Sequence, residues 1–372
     1  MSKSETTLYQ LIVDSAHMGL GLQGENGSFP KGTNGPYKDD DTYVRTTAHW
    51  AILQYKAYEI TGQSEYEVSA RKACDYIVSN ECRPYGFTFH CRNGNNKDKC
   101  NGLIGQAWAV EALILIGKKT GDSSYLDCVS DLFSCIRYDW KRHKWLLTGV
   151  DGTILPVCRT LNQQIWMSTM ALAGGTSIQE ELEEKATDFF QNLCRTSKVC
   201  KNDLLWHKLN LSVKELAPHR VVSDILHRKR ITKQSVGYLS FILFGLALAY
   251  DYSSQYSFWK QEHLKTMLKN AYLYIKNRKP FGSGSDGTDY RWGYNPVGIE
   301  MAYFIQVFNS FLRLDESDDE VLYWLNMQIN HHFDFEGKAM SKNTVDKAIL
   351  SSRLYEATYL NDYRITIRPS KP

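Results

Sequence analysis

The chain has 372 residues, 43% of them hydrophobic and 23% charged, with a formal net charge of +3. These values sit near globular averages and exclude a disordered chain, a collagen-like repeat and a strongly basic nucleic-acid binder. The longest apolar run, residues 237–250, falls short of the roughly 18–20 needed to span a bilayer. The opening MSKSETTLYQ lacks the apolar core of a signal peptide, and nine irregularly spaced cysteines fit reduced thiols better than a disulfide framework. A cytoplasmic globular protein is expected.

Two kinds of helix alternate along the chain. Residues 7–18 read as amphipathic, 43–60 as apolar nearly all round, 65–79 as amphipathic and 102–119 as apolar. The same alternation continues through 123–136, 161–173, 178–195, 235–250, 258–276, 296–314, 317–333 and 344–359. A repeat supports it: EITGQSEY around Gly62 echoes KKTGDSSY around Gly121, 59 residues later. The helix faces follow the same step, Tyr66, Ala70, Ala73 and Ile77 matching Tyr125, Val129, Leu132 and Ile136. Leu182, Ala186, Phe189 and Leu193 repeat it a third time. Each glycine suits the left-handed position that ends a helix. Alternating outer and inner helices predict one all-α domain over residues 1–363, an (α/α)6 toroid, with 364–372 as a tail. The rival, a right-handed solenoid of helix pairs, predicts more uniform loops.

The loops are strongly asymmetric. Inner-to-outer turns are short (61–64, 120–122, 174–177), whereas outer-to-inner connections are long (19–42, 80–101, 137–160, 196–234, 277–295, 334–343). Loops beyond roughly 12–15 residues are usually functional. The site is therefore expected at the N-terminal ends of the inner helices, which favour anionic ligands.

The loops supply the chemistry. The first carries Asp39, Asp40 and Asp41, then Arg45 and His49 one turn apart on a helix that should be buried. The second carries His90, Cys91, Arg92, Asp98, Cys100 and Asn101, followed by Gln106 and Trp108. Its His and Cys spacing matches no standard zinc pattern, so neither metal nor cofactor is expected. Asp98 is either a helix cap or a catalytic carboxylate. The third loop leads to Asn162, Gln163 and Trp166, groups that can bind and stack a sugar or simply pack. The fifth joins GSGSDG to Asp289, Tyr290, Arg291, Tyr294 and Asn295, with Glu300 one turn into the next helix. The fourth, 197–234, is long and basic, with His219, Arg220, His227, Arg228, Lys229 and Arg230. It reads as a solvated face or as a lid whose cations meet an anionic sugar or a lipid phosphate, allowing peripheral membrane contact.

The strings GQAWAVEAL (105–113) and TGD (120–122) resemble those of the six-hairpin glycosidases, in particular the unsaturated glucuronyl hydrolases. NGPY (34–37), VRTTAHW (44–50) and CNGLIGQAW (100–108) are similar to AglQ-type proteins of glycan-assembly gene clusters. The resemblance implies a toroid that acts on an oligosaccharide or glycoconjugate. Two departures stand out: Ile104 replaces the Arg that precedes Gly-Gln-Ala-Trp in the hydrolases, and their loop Asp-Asp pair is absent apart from Asp39–Asp41. The first functional expectation is a glycoside hydrolase acting on a uronic-acid-containing glycan. In it Asp98 pairs with Asp289 or Glu300 for acid/base work, and Arg45 or Arg291 holds the substrate carboxylate. The alternative is a uronyl epimerase or lyase using His49, His90, Tyr290 and Tyr294 with Arg291. The third is a non-catalytic glycan-binding assembly protein.

Overall fold

A computed structural model describes residues 4–94, 97–200, 203–210, 218–278, 285–286 and 289–367, with residues 218–221 as backbone only. The glycine-rich stretch at 282–284 and 287–288, and the side chains of His219 and Arg220, lie outside these residues.

Strand β1 (Ser4–Thr7) leads into α1 (Leu8–Leu20), capped by Thr7, whose hydroxyl accepts from Gln10 N. Then come α2 (Val44–Thr61) with α3 (Ser64–Val78), α4 (Gly102–Thr120) with α5 (Ser123–Cys135), and a two-stranded hairpin, β2 (Tyr138–Asp139) and β3 (Lys144–Trp145). Helices α6 (Leu161–Gly174), α7 (Glu180–Gln191) and α8 (Leu193–Thr196) precede α9 (Pro218–Leu226) and α10 (Arg228–Gly237). The rest comprises α11 (Leu239–Ser253) with α12 (Glu262–Arg278), α13 (Val297–Leu312) with α14 (Asp318–His332), α15 (Lys347–Ser352) and β4 (Arg364–Ile367).

The inner helices are α2, α4, α6, α11, α13 and α15, the last continued by a 3-10 segment over Arg353–Tyr359. Each packs on the next and the last returns to α2, so the ring closes as an (α/α)6 toroid and not as a solenoid. Outer helices α1, α3, α5, α7, α12 and α14 each pack on an inner one. The burial pattern follows the sequence: α11 is buried without interruption from Leu239 to Ala249, whereas α5 buries only the stripe Tyr125, Cys128, Val129, Leu132 and Phe133. Gly62 and Gly121 end α2 and α4 with φ of 71° and 70°, as the repeat requires. All nine cysteines are free. No single helix among the described residues is long and apolar enough to cross a membrane.

Three expectations need correction. The helix expected over 235–250 is broken at Tyr238, where α10 and α11 meet at 51°. Tyr290 packs so closely on Gly237 that a Cβ there would lie 2.5 Å from its own, and Asn295 Nδ2 donates to the Gly237 carbonyl at 3.1 Å. The helix expected over 344–359 starts only at Lys347, capped by Asp346, and tightens to 3-10 at Arg353. Residues 364–367, expected as tail, form β4, which pairs antiparallel with β1 and ties the two ends of the chain together.

Candidate functional site

A cavity of about 270 Å³ opens among the N-terminal ends of the inner helices. Its position follows from the loop asymmetry: the long connections converge there, and α4, α6, α11 and α13 aim their first turns at it.

One wall is organised by Asn34, held at a φ of 57° in the Asn-Gly-Pro-Tyr turn. Its Oδ1 accepts from Arg45 Nη1 at 2.8 Å and from the Tyr294 hydroxyl at 2.7 Å, and its Nδ2 donates to Asp39 at 3.0 Å. The turn is fixed by Asp346, which accepts from the Thr33 and Gly35 amides at 2.7 and 2.9 Å while capping α15. The Arg45 guanidinium lies 4.2 Å from the Trp108 ring centroid and 5.3 Å from that of Tyr294, an enclosed cation–π sandwich. Behind Trp108, His49 stacks on Tyr355 at 4.3 Å with Nδ1 3.2 Å from Ser352 Oγ. Burial, with Arg45 and Arg353 nearby, holds its imidazole neutral, well below the ordinary range.

The floor is Arg353. It donates to Asn295 Oδ1 at 2.9 Å and to Glu300 at 2.8 Å, and lies 2.5 Å from Glu356, all three groups enclosed. Two buried carboxyls share one guanidinium, and burial raises the pKa of both, that of Glu356 well above the usual range. Deeper in the ring, Glu111 accepts from the Tyr355 and Tyr359 hydroxyls at 3.2 and 2.7 Å, and burial pushes its carboxyl up to about 8.

The adjoining wall is aromatic, with Tyr37 and Tyr238 in ring contact with Tyr294 at 6.5 and 6.4 Å. Tyr238, presented by the break between α10 and α11, stacks on Tyr290 at 5.1 Å and on His207 at 4.9 Å, and donates to the Tyr37 hydroxyl at 2.9 Å. Burial, with Lys208 next in the chain, pushes His207 down to about 3, so its ring is neutral. His207, Trp108 and Asn162 line the cavity, and their buried Nδ1, Nε1 and Oδ1 atoms make no hydrogen bond among the described residues. The lining also carries Arg92, Lys208 and Arg230, and none of its described residues is Asp or Glu.

Of the residues singled out in the sequence, Arg92, Asn101, Trp108, Asn162, Gln163, Arg230, Tyr294 and Asn295 line the cavity. Arg45, His49, Glu300 and Tyr290 stand immediately behind it. The others are taken up elsewhere. Asp98 pairs with Arg92 at 2.6 Å and accepts from Gly102 N at 2.7 Å, so it caps α4 and orients a lining arginine. Gln106 pins the loop before α4 through Phe89 and Cys100. Trp166 is a core residue between Phe241 and Phe244. Asp289 pairs with Arg291 at 2.6 Å, and Arg291 borders a separate, mostly apolar cavity with Tyr274 and Arg278. His90 and Asp41 do not reach the cavity. Asp41 is 1% exposed, its oxygens accept no hydrogen bond from a described residue, and burial pushes its carboxyl up to about 7 against the pull of Arg45. Among the described residues no cluster of His, Cys, Asp and Glu is placed to hold a metal ion.

Sequence reasoning missed Asn34, Tyr37, His207, Tyr238 and Arg353. Arg353 and Glu356 carried a signal that Arg45 shares: full charges inside an inner segment that is otherwise apolar. His207 lies in a connection whose most marked sequence feature is the basic run further on.

No protein-family model matches the sequence. The chain is 33% identical over 377 aligned residues to archaeal glycosylation protein Q of Haloferax volcanii, covering 97% of this chain and 99% of that protein. Its fold is similar to that of a D-mannose isomerase, with a TM-score of 0.67 at 15% identity over 94% of this chain and 95% of the other. It is also similar to cellobiose 2-epimerase from Bacillus thermoamylovorans B4167, with a TM-score of 0.63 at 12% identity over 94% and 98%. For an unsaturated glucuronyl hydrolase specific for heparin the TM-score is 0.56 at 11% identity over 95% and 94%.

Proposed function

This chain belongs to the family of archaeal glycosylation protein Q, and we propose that it serves glycan assembly as an epimerase of a uronic acid unit. One observation carries the reading: the cavity presents Arg92, Lys208, Arg230 and Arg353 beside His207 and Tyr294, with no carboxylate among the described lining residues. Glycoside hydrolysis by acid/base catalysis needs two carboxyls facing the scissile bond. Asp98, Asp289 and Glu300 instead stand outside the described lining, each paired with an arginine. That arrangement favours the epimerase over the hydrolase. Two proteins of similar fold, a mannose isomerase and a cellobiose epimerase, belong to the same broad reaction class.

The chemistry divides among these residues as follows. A uronate carboxylate meets the Arg353 guanidinium at the floor, with Arg92 beside it. His207 Nδ1 removes the proton from the carbon next to that carboxylate. The C–H electron pair moves into the carboxylate, whose growing charge the arginines stabilise. A hydroxyl, that of Tyr294, returns a proton to the other face and re-forms the C–H bond with inverted configuration. His207 is neutral but only a weak base when the site is free, and the bound carboxylate beside it must raise its proton affinity for it to take the proton. Trp108 Nε1 and Asn162 Oδ1 hold the sugar hydroxyls.

The test is His207→Asn, assayed on a uronate-terminated oligosaccharide. Turnover should fall at least about a hundredfold, with the melting temperature not lowered. Turnover within twofold of wild type would remove His207 and the carbon-acid mechanism with it.

A further inference from the structure

The described side chains of helix α9 (Pro218–Leu226), those of residues 222–226, are arranged the wrong way round for a helix on a protein surface. Such helices turn their apolar stripe to the core. Here the polar side faces inward: Asp224 accepts from Arg159 Nη2 at 3.0 Å and from Lys208 Nζ at 3.2 Å, anchoring the helix beside the cavity. Val222, Ile225 and Leu226, at the i, i+3, i+4 spacing of one face, point to solvent at 51%, 66% and 75% exposure. The chain then turns into α10, where Arg228, Lys229, Arg230 and Lys233 are all exposed. Exposed aliphatic side chains are thus followed directly along the chain by exposed cations.

We infer that the outer face of α9 and the first turns of α10 dock on an anionic membrane surface, the aliphatic residues entering the interface and the cations meeting lipid phosphates. Charge complementarity selects this occupant. Exposed aliphatic residues next to Lys and Arg are the composition of an interfacial helix, whereas a nucleic-acid surface would offer the bases aromatic platforms, and α9 has none in Val222–Leu226. The exposed stripe is the kind of feature that marks an interaction site. Helix α10 also connects the docking face to the cavity, since Arg230 and Gln234 line it and Tyr238 follows directly. On the function proposed above, and resting on it, the substrate is therefore a uronate unit of a glycan carried on a membrane lipid.

The test needs no turnover. The full chain is sedimented with vesicles of phosphatidylglycerol and phosphatidylcholine in equal parts, and with vesicles of phosphatidylcholine alone. Binding should require the anionic lipid and weaken with salt. A cation near such a surface strengthens binding about fivefold. Arg228→Gln/Lys229→Gln/Lys233→Gln together should therefore weaken binding roughly a hundredfold, and Ile225→Ser/Leu226→Ser at least about tenfold. All five residues are exposed, so both variants should melt with the wild type. Equal binding to the two vesicle types, or wild-type binding by either variant, would overturn the inference. So would light scattering that shows a dimer split by Ile225→Ser/Leu226→Ser, since the face would then belong to a second copy. Vesicle binding without any turnover of uronates would overturn the proposed function and leave the docking face standing.

Discussion

Replacing Arg353 by Met tests the floor of the site. The guanidinium is 1% exposed and faces both Glu300 at 2.8 Å and Glu356 at 2.5 Å, neither of which reaches solvent. Removing one partner of a buried ion pair costs about 3–5 kcal/mol. With an unfolding entropy of about 2.1 cal/mol/K per residue, that lowers the melting temperature of a chain this long by about 4–6 °C. The loss should depend on pH. Without Arg353 both carboxyls lie further above their unfolded pKa of roughly 4.3. A carboxyl whose folded pKa is raised favours the folded state while protonated, and that advantage disappears as pH rises. The deficit should therefore be larger at pH 8 than at pH 5.5, measured by circular dichroism melts at both. Glu356→Gln is the control: burial holds the Glu356 carboxyl well above its unfolded range, so an amide of the same shape should not lower stability at pH 5.5 and should raise it at pH 8, where the unfolded carboxyl is ionised. A pH-independent deficit in Arg353→Met, or a Glu356→Gln loss as large, would show that the triad is not charged as described.

Three further predictions concern the wall and the loops. Asp41 has a folded pKa of about 7 and destabilises the protein once ionised, so Asp41→Asn should raise stability at pH 8 by on the order of 3 kcal/mol and leave it unchanged near pH 4; chemical denaturation at the two pH values reads it. Gly35 has a φ of 55°, and a Cβ there would lie 2.2 Å from the Tyr294 ring. Gly35→Ala should therefore displace Tyr294 and lower kcat at least about tenfold while costing about 1–3 kcal/mol of stability, seen by kinetics beside a melt. Asp98→Asn keeps an acceptor for Gly102 N but loses the charge that orients Arg92. KM should rise by about three- to tenfold with kcat within about threefold, whereas loss of kcat would restore Asp98 as an acid.

The toroid was legible because it is written in two periods: the 3.6-residue apolar pattern of the inner helices and the 59-residue echo around Gly62 and Gly121. Helix breaks were not, since that at Tyr238 depends on Tyr290 and Asn295 arriving from 50 residues away. The site was legible where a charge interrupts a buried helix, as Arg45 does in α2. The loop acids misled for the opposite reason. Asp98 and Asp289 do precede inner helices, but each has an arginine near in sequence, Arg92 and Arg291, and the pairs close on themselves. The aromatic wall joins Tyr37, His207, Tyr238 and Tyr290 from four separate connections, and no local pattern announces that meeting.

Proton NMR of uronate-containing oligosaccharides incubated with the pure protein in deuterated water is the most direct examination of the epimerase reading. Deuterium at C5 with inversion there and the chain intact is the predicted result. A new reducing-end signal without exchange at C5 would contradict it in favour of hydrolysis, and an unsaturated-ring signal in favour of a lyase.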